Sequence, residues 1–143
     1  MTFELLPDAM VKLRERIEDE VNIATQKVVL VIVHTAAENT PVDTSKAMSN
    51  WRVGIGSGPE GEVGARVPGK GGSSGPAVLY IIGEDAKRAM QNRKVGTAVH
   101  IVNNAEHIEK LNNGTGFSKP PGFVEKAELM GSLQIKNTQI RLQ

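Results

Sequence analysis

The sequence predicts an α+β domain in which a long N-terminal helix and several shorter helices pack on a small, mainly antiparallel sheet. Three observations indicate this class. Apolar residues recur at three- and four-residue steps over residues 8–40, as they do on one face of a helix. Residues 51–56 and 97–104 have the composition and alternation of strands. Glycine and proline are concentrated between the two, in residues 54–76.

The chain of 143 residues is long enough to bury one core, so we expect a single domain over residues 1–143. It has no cysteine, which excludes a disulfide framework and is typical of assembly in a reducing cytoplasm. The longest apolar run, residues 28–33, is much shorter than the roughly 20 residues that cross a bilayer. The first residues also lack the pattern of a secretory signal, so we expect neither export nor a membrane.

The first helix is predicted to begin at Asp8, a plausible N-cap, and to end before Pro41. Residues 28–33 are mainly Val and Ile, which favour a pleated strand, so a strand there is the alternative. After Pro41, a side-chain oxygen of Asp43 or Thr44 can cap a short second helix.

The segment of residues 54–76 holds nine glycines and three prolines, and only residues 61–67 within it could pair in a sheet. We expect a hairpin tip or a long flexible loop. A glycine-rich excursion of this size is unusual in a compact domain unless it contacts something outside the domain or stays disordered.

Apolar spacing then predicts a helix over residues 76–93, followed by the second strand. A short helix over residues 105–113 is closed by Gly114, which can adopt the positive φ of a helix C-terminus. The proline pair that precedes Gly122 starts a last helix, and residues 132–143 end the chain as a tail or a strand.

Two glycine patterns superficially match nucleotide-binding fingerprints. Residues 56–61 fit G-x-G-x-x-G and residues 64–70 fit G-x-x-x-x-G-K, but neither leads directly into a helix. Gly71 also stands where the second pattern needs Ser or Thr. A nucleotide-dependent enzyme that uses Lys70 is therefore a weak alternative. The three histidines lack metal-site spacing, and we expect no cofactor, no metal and no catalytic residue.

Charge is distributed unevenly along the chain. Residues 1–45 hold eight acidic and four basic residues, whereas residues 46–94 hold eight basic and four acidic residues. The two segments are candidates for faces that meet between subunits, and the alternative is an ordinary mixed surface. The basic residues can also attract DNA phosphate without sequence specificity. The candidate interface residues are Glu15, Glu18, Asp19, Lys70, Lys87, Arg88, Arg93 and Lys94.

Three blocks of residues resemble a single known family. The run Thr40-Pro41-Val42-Asp43-Thr44-Ser45, followed by Asn50-Trp51, looks like the T-P-V-D-T-G … S-W signature of the phage head–tail joining family, which includes neck proteins and the minor tail protein Z. Residues 101–111, which contain Asn103 and lead to Gly114, are similar to its strand–Asn–short helix–Gly block. Pro120-Pro121-Gly122 resembles the start of its last helix.

The chain departs from the family pattern at three positions. Ser45 replaces the usual glycine, Asn50 replaces the serine before tryptophan, and His107 stands where tyrosine is commoner. We interpret the matching residues as determinants of the fold. Trp51 can bury a large apolar surface, and the Asn103 amide can bond backbone groups at a strand end.

The resemblance implies a structural, non-enzymatic virion protein of the phage head–tail connector. Such a neck or tail-completion subunit forms a homo-oligomeric ring, six- or twelve-fold, around the DNA channel. Its partners would be further copies of itself, a head-completion or adaptor protein, and the tail tube or terminator protein. It would lie at the head–tail junction of the virion, and in the host cytoplasm during assembly. A tail-terminator ring protein that caps the tail tube is the alternative within the same class.

Overall fold

The structure, a computed structural model, describes residues 6–114 and 119–139. Its elements confirm the α+β class, with a long N-terminal helix, shorter helices and a small antiparallel sheet. In chain order they are α1 (Leu6–Asn39), α2 (Lys46–Ser49), β1 (Trp51–Ile55), α3 (Gly75–Met90), β2 (Val99–Asn103), α4 (Ile108–Asn112) and α5 (Phe123–Asn137).

Helix α1 is continuous through residues 28–33, so the alternative of a strand there is wrong. Val29 and Val33 lie in the core, where packing outweighs the weak strand preference of β-branched side chains. The helix ends at Asn39, two residues before Pro41, as predicted. Asp8 lies inside the first turn and is not the cap. Its negative carboxylate there interacts favourably with the positive end of the helix dipole.

The sheet consists of β1 and β2, which pair antiparallel with Trp51 opposite Asn103 and Ile55 opposite Val99. One face of the sheet packs on the hydrophobic core that α1, α3 and α5 share. Trp51 is buried, and its ring meets that of Phe123 edge to face at a centroid distance of 6.2 Å. The sheet and the last helix therefore meet at one aromatic pair.

Helix α5 packs along α1 through a face of small residues that follow Phe123, namely Ala127 and Gly131. A Cβ on Gly131 would lie 2.5 Å from Cγ1 of Ile32, which shows how closely the two helices approach. The helix continues to Asn137. The prediction of a tail or strand over residues 132–143 is therefore wrong for residues 132–137. Residues 140–143 lie outside the described part of the chain.

The glycine-rich segment contains no strand between residues 56 and 74, so the expected hairpin is wrong. Its first part folds back over the outer face of the sheet. A Cβ on Gly54 would lie 2.1 Å from the carbonyl oxygen of Ser57, and one on Gly58 would lie 3.0 Å from Val102. Glycine is needed at position 54 because its backbone lies directly against the backbone of Ser57.

Replacing Thr40 with Val should lower the free energy of unfolding by about 1–3 kcal/mol, because the buried indole N–H of Trp51 would lose its acceptor. Thr40 Oγ1 accepts that N–H at 2.8 Å and itself donates to the carbonyl of Ala36 at 2.7 Å. Chemical denaturation of Thr40→Val, Trp51→Phe and the double variant measures the coupling. We expect the double variant to lose less than the sum of the single losses. Strict additivity would contradict the stated role of the bond.

Candidate subunit interface and the network that supports it

The run that resembles the head–tail joining signature carries four buried polar side chains. Thr40, Ser45, Ser49 and Asn50 are at most 1% exposed. Buried hydroxyl and amide groups are costly unless they form hydrogen bonds, and all four do so with main-chain atoms or with Trp51. These four side chains form a buried polar network, whereas Asp43 and Thr44 of the same run are exposed.

Asn50 binds the glycine-rich segment through both ends of its amide. Its Nδ2 donates to the carbonyl of Val63 at 2.8 Å, and its Oδ1 accepts the N–H of Val63 at 2.9 Å. Ser49 Oγ accepts the N–H of Arg66 at 3.0 Å. These side chains give the segment the hydrogen-bond partners that a neighbouring strand would otherwise supply.

Asp43 and Ser45 hold the later part of the segment. The Asp43 carboxylate accepts the N–H of Gly71 at 2.9 Å, and its carbonyl accepts the N–H of Gly72 at 3.1 Å. The prediction that Asp43 or Thr44 caps α2 is therefore wrong. The cap is Ser45, which makes no side-chain capping bond and instead donates to the carbonyl of Val67 at 2.8 Å.

Ser45 has a left-handed backbone with a φ of 71°, and it is the one non-glycine residue with positive φ in the described chain. This conformation costs a residue with a Cβ roughly 1–2 kcal/mol. It gives a physical reason for glycine at this position of the resembling signature. The hydrogen bond from Ser45 to Val67 offsets part of that cost.

The second resembling block joins the same network. As expected for a strand end, the Asn103 amide donates to the carbonyl of Ala47 at 2.8 Å and accepts the N–H of Ala105 at 3.0 Å. Asn104 Nδ2 donates to the carbonyl of Pro59 at 2.9 Å. The glycine-rich segment is therefore a loop, one of the two predicted alternatives, and side chains of both blocks bind it through hydrogen bonds.

Gly114 has the positive φ that was predicted for it, and Gly122 of the third block also has a positive φ. Gly114, just beyond α4, has a φ of 87°, and Gly122, the cap of α5, has a φ of 86°. A Cβ on Gly114 would lie 2.9 Å from Cβ of Pro121, so the two blocks are in contact. The N–H of Gly122 also donates to the carbonyl of Asn112 at 2.8 Å.

Lys70, the residue behind the nucleotide alternative, is exposed on the glycine-rich segment. In a phosphate-binding loop, the N–H groups that follow the lysine face the phosphate. Here the N–H groups of Gly71 and Gly72 are bonded to Asp43, whose carboxylate would repel an anion. The arrangement does not favour phosphate binding.

The acidic candidates lie on an arm formed by the first part of α1. Every residue from 7 to 19 is exposed, a length of about 20 Å at the rise of an α-helix. Glu15, Glu18 and Asp19 are on this arm, and Glu18 forms a weak ion pair with Arg14 at 3.9 Å. The arm also exposes four large apolar side chains, Met10, Val11, Leu13 and Ile17.

The basic candidates near the end of α3 are not all available to a neighbour. Lys87 and Arg88 pair with Glu84 and Asp85 of the same helix, at 3.2 and 3.0 Å. Arg93 is half-buried, and its guanidinium donates to Asn22 Oδ1 and to the carbonyl of Thr97 of the same subunit, both at 2.9 Å. Arg93 was predicted to contact a neighbouring subunit, but its hydrogen bonds are to groups of its own subunit. Lys94 is exposed.

The structure brings part of the acidic and basic sets together within one subunit. Asp19, Lys87 and Arg88 line a cleft of about 650 Å³ between the root of the arm and the end of α3. They are therefore neighbours, not opposite faces, and Lys70 lies apart from them on the glycine-rich segment.

Sequence reasoning missed an exposed apolar face on α5. Leu129, Met130 and Leu133 are 40–60% exposed and lie away from the buried Phe123, Ala127 and Gly131. The sequence did contain a sign of this face, because residues 123–133 place apolar or small side chains on two different sides of a helix. Only the packing on α1 distinguishes the inward set from the outward one.

No three His, Asp or Glu side chains within residues 6–114 and 119–139 are grouped as around a metal ion. In the same part of the chain, no helix is long and apolar enough to cross a membrane. No family model matches the chain, and no curated protein or solved structure matches it.

Asn50→Ala should lower the free energy of unfolding by about 2–4 kcal/mol, because the N–H and carbonyl of Val63 lose their partners in a site closed to water. Ser57→Ala, an exposed change on the same segment, is the control and should have little effect. Hydrogen exchange at Val63 gives a local readout. An unchanged rate in Asn50→Ala would show that the amide does not hold the segment.

A pH-dependent contact also fixes this segment. The hydrogen bond from Lys46 lowers the pKa of Glu62 from its ordinary value of 4.5, and the N–H of Glu106, which Glu62 accepts at 2.7 Å, acts in the same direction. The same bond raises the pKa of Lys46. The Glu62 carboxylate therefore contributes stability above its unfolded-state pKa, and this is lost as pH falls through its depressed folded-state value.

Glu62→Gln should consequently be less stable than the natural chain near neutral pH, and the difference should disappear as the pH falls below 4.5. Urea denaturation at several pH values measures it. Glu60→Gln, a change on the same segment at a carboxylate without an ion pair in the described residues, serves as the control. A difference that persists in acid would mean that Glu62 acts through packing and not through its charge.

Proposed function

We propose that this chain is a structural subunit of the phage head–tail connector, a neck or tail-completion protein that forms a ring around the DNA channel. Its partners are further copies of itself, a head-side adaptor or completion protein, and the tail tube or its terminator. Any contact with DNA in the channel is non-specific and made through exposed basic side chains.

The observation that carries the proposal is the convergence of the three resembling blocks in one part of the fold. Two of them hold the glycine-rich segment through Asn50 and Asn104, and the third meets Gly114 at Pro121. The three blocks are far apart in sequence but in contact in the fold, as expected of residues that together define one family of folds. The left-handed backbone at Ser45 adds support, because the resembling signature has glycine there.

Exposed surface also supports an assembling subunit. Apolar side chains are exposed on the arm and on α5, although single subunits rarely leave several such groups uncovered along one helix face. A ring with cyclic symmetry requires two different faces on each subunit, one for each neighbour. The arm and α5 are two such faces.

The proposal is tested in the phage that encodes the chain. An amber codon at Gln26 should yield DNA-filled heads and finished tails that remain unjoined in a non-suppressing host. Addition of the purified natural chain to that lysate should restore infectious particles, and a heat-denatured sample is the control. Electron microscopy and plaque counts measure both effects.

The other outcomes are equally decisive. Tails of uncontrolled length in the non-suppressing host would identify a tail terminator and overturn the neck assignment. Normal infectious particles without the protein would overturn a junction role of either kind. Gold-labelled antibody bound at the junction of intact virions would independently support the proposal.

A further inference from the structure

Two exposed apolar stripes lie on different helices of the subunit. The arm stripe consists of Met10, Leu13 and Ile17, and the α5 stripe consists of Leu129, Met130 and Leu133. Their side chains are between 37% and 62% exposed. Burial of the exposed part of an apolar side chain is favourable, so both stripes are candidate sites for association.

The two stripes cannot cover each other within one subunit. Helix α5 packs on the second half of α1, where Gly131 approaches Ile32, whereas the arm is the first part of the same continuous helix. The α5 stripe also lies away from the buried face formed by Phe123 and Ala127. Either stripe can therefore meet the other stripe of a second copy.

The stripes have matching spacing and opposite charge. Leu13, Ile17 and Glu20 stand at positions i, i+4 and i+7 of α1. Leu129, Leu133 and Lys136 stand at the same spacing on α5. Neither Glu20 nor Lys136 forms an ion pair within residues 6–114 and 119–139.

We propose that the arm of one subunit docks on α5 of a second copy of this chain, with the two helices parallel. In this register Leu13 lies against Leu129, Ile17 against Leu133, and Glu20 against Lys136. An antiparallel register that keeps Leu13 on Leu133 would instead place Glu20 opposite Lys126, whose Nζ already donates to Asn39 Oδ1 at 3.0 Å within the subunit. The parallel register gives Glu20 a lysine that forms no ion pair in the described residues.

The contact is heterologous, because the arm and α5 are different surfaces. Each subunit then gives an arm to one neighbour and receives an arm from the other, which produces a closed ring or an open helix. The inference rests on the proposed function for the choice of a closed ring. The docking itself rests only on the chemistry of the two stripes.

The absence of cysteine from the chain makes the register directly testable by cross-linking. A disulfide requires Cα atoms within about 7 Å of each other, so it reports a specific pair of positions. Under mild oxidation, Leu13→Cys with Leu129→Cys on one chain should give a ladder of covalent multimers. Leu13→Cys with Ile135→Cys is the matched control, since Ile135 is 61% exposed and lies on another face of α5. Its yield should be about tenfold lower, which corresponds to ~1.4 kcal/mol.

Charge reversal tests the ion pair within the same cross-linking chain. Glu20→Lys or Lys136→Glu alone should reduce the yield of multimers about tenfold, and the two changes together should restore most of it. Both side chains lie at the surface, so circular dichroism should show that every variant folds. Lack of recovery in the double reversal would overturn the parallel register.

The remaining outcomes separate this inference from the proposed function. Dimers from Leu13→Cys alone would show that arms pair with arms and would overturn docking on α5. Rings in the microscope without a Leu13–Leu129 cross-link would also overturn it and leave the neck proposal intact. The covalent multimers could form as expected while the phage stays infectious without the protein. That combination would support the docking and overturn the junction role. No cross-link and no ring at high chain concentration would overturn the docking.

Discussion

The hydrogen bond from the Trp51 indole to Thr40 is the contact on which the rest of the fold depends. Thr40 terminates α1 and Trp51 begins β1, so the bond fixes the angle between helix and sheet. The indole ring also meets the ring of Phe123, the first residue of α5. Because a tryptophan is both large and capable of donating one hydrogen bond, it can specify orientation as well as fill volume.

The position of the Trp51 ring determines what the preceding residues can do. The short helix α2 lies between Thr40 and Trp51, so its buried polar groups face the same interior. Asn50 and Ser49 then find their partners in the glycine-rich segment. A two-stranded sheet has little stability by itself, and this segment covers its outer face in place of further strands. The glycines are needed for that close approach, not for mobility.

Most elements could be predicted because their signals are local. The stripe of α1, the alternation in β2 and the stop at Pro41 depend on neighbouring residues alone. The packed glycine-rich segment could not be predicted, because its order comes from single side chains such as Asn50, which is 13 positions from Val63. Its composition is equally typical of a flexible loop. The capping role assigned to Asp43 failed for a related reason, since a distant N–H at Gly71 takes its carboxylate.

The candidate interface was predicted in part for the same physical reason. The acidic residues of the arm are exposed, as expected, because nothing in the sequence around them requires burial. Arg93 is different, since its partner Asn22 lies 71 positions away in the sequence. Their hydrogen bond connects α1 to the residues that follow α3. Charge counts along a sequence record the sign of a residue but not its partner. An interface based on such counts therefore requires correction once internal pairs are known.

The two halves of α1 have different sources of stability, and this difference suits the arm to assembly. The second half is held by buried Val29, Val33 and Ala36 against the rest of the core. The arm has no such support, but it extends a helix that is already nucleated, and propagation adds a hydrogen bond per residue without a new nucleation cost. Its residues are largely strong helix formers such as Leu, Met, Arg, Lys and Glu. An exposed apolar stripe is thus presented in a pre-formed helix, so docking would not have to order the backbone first.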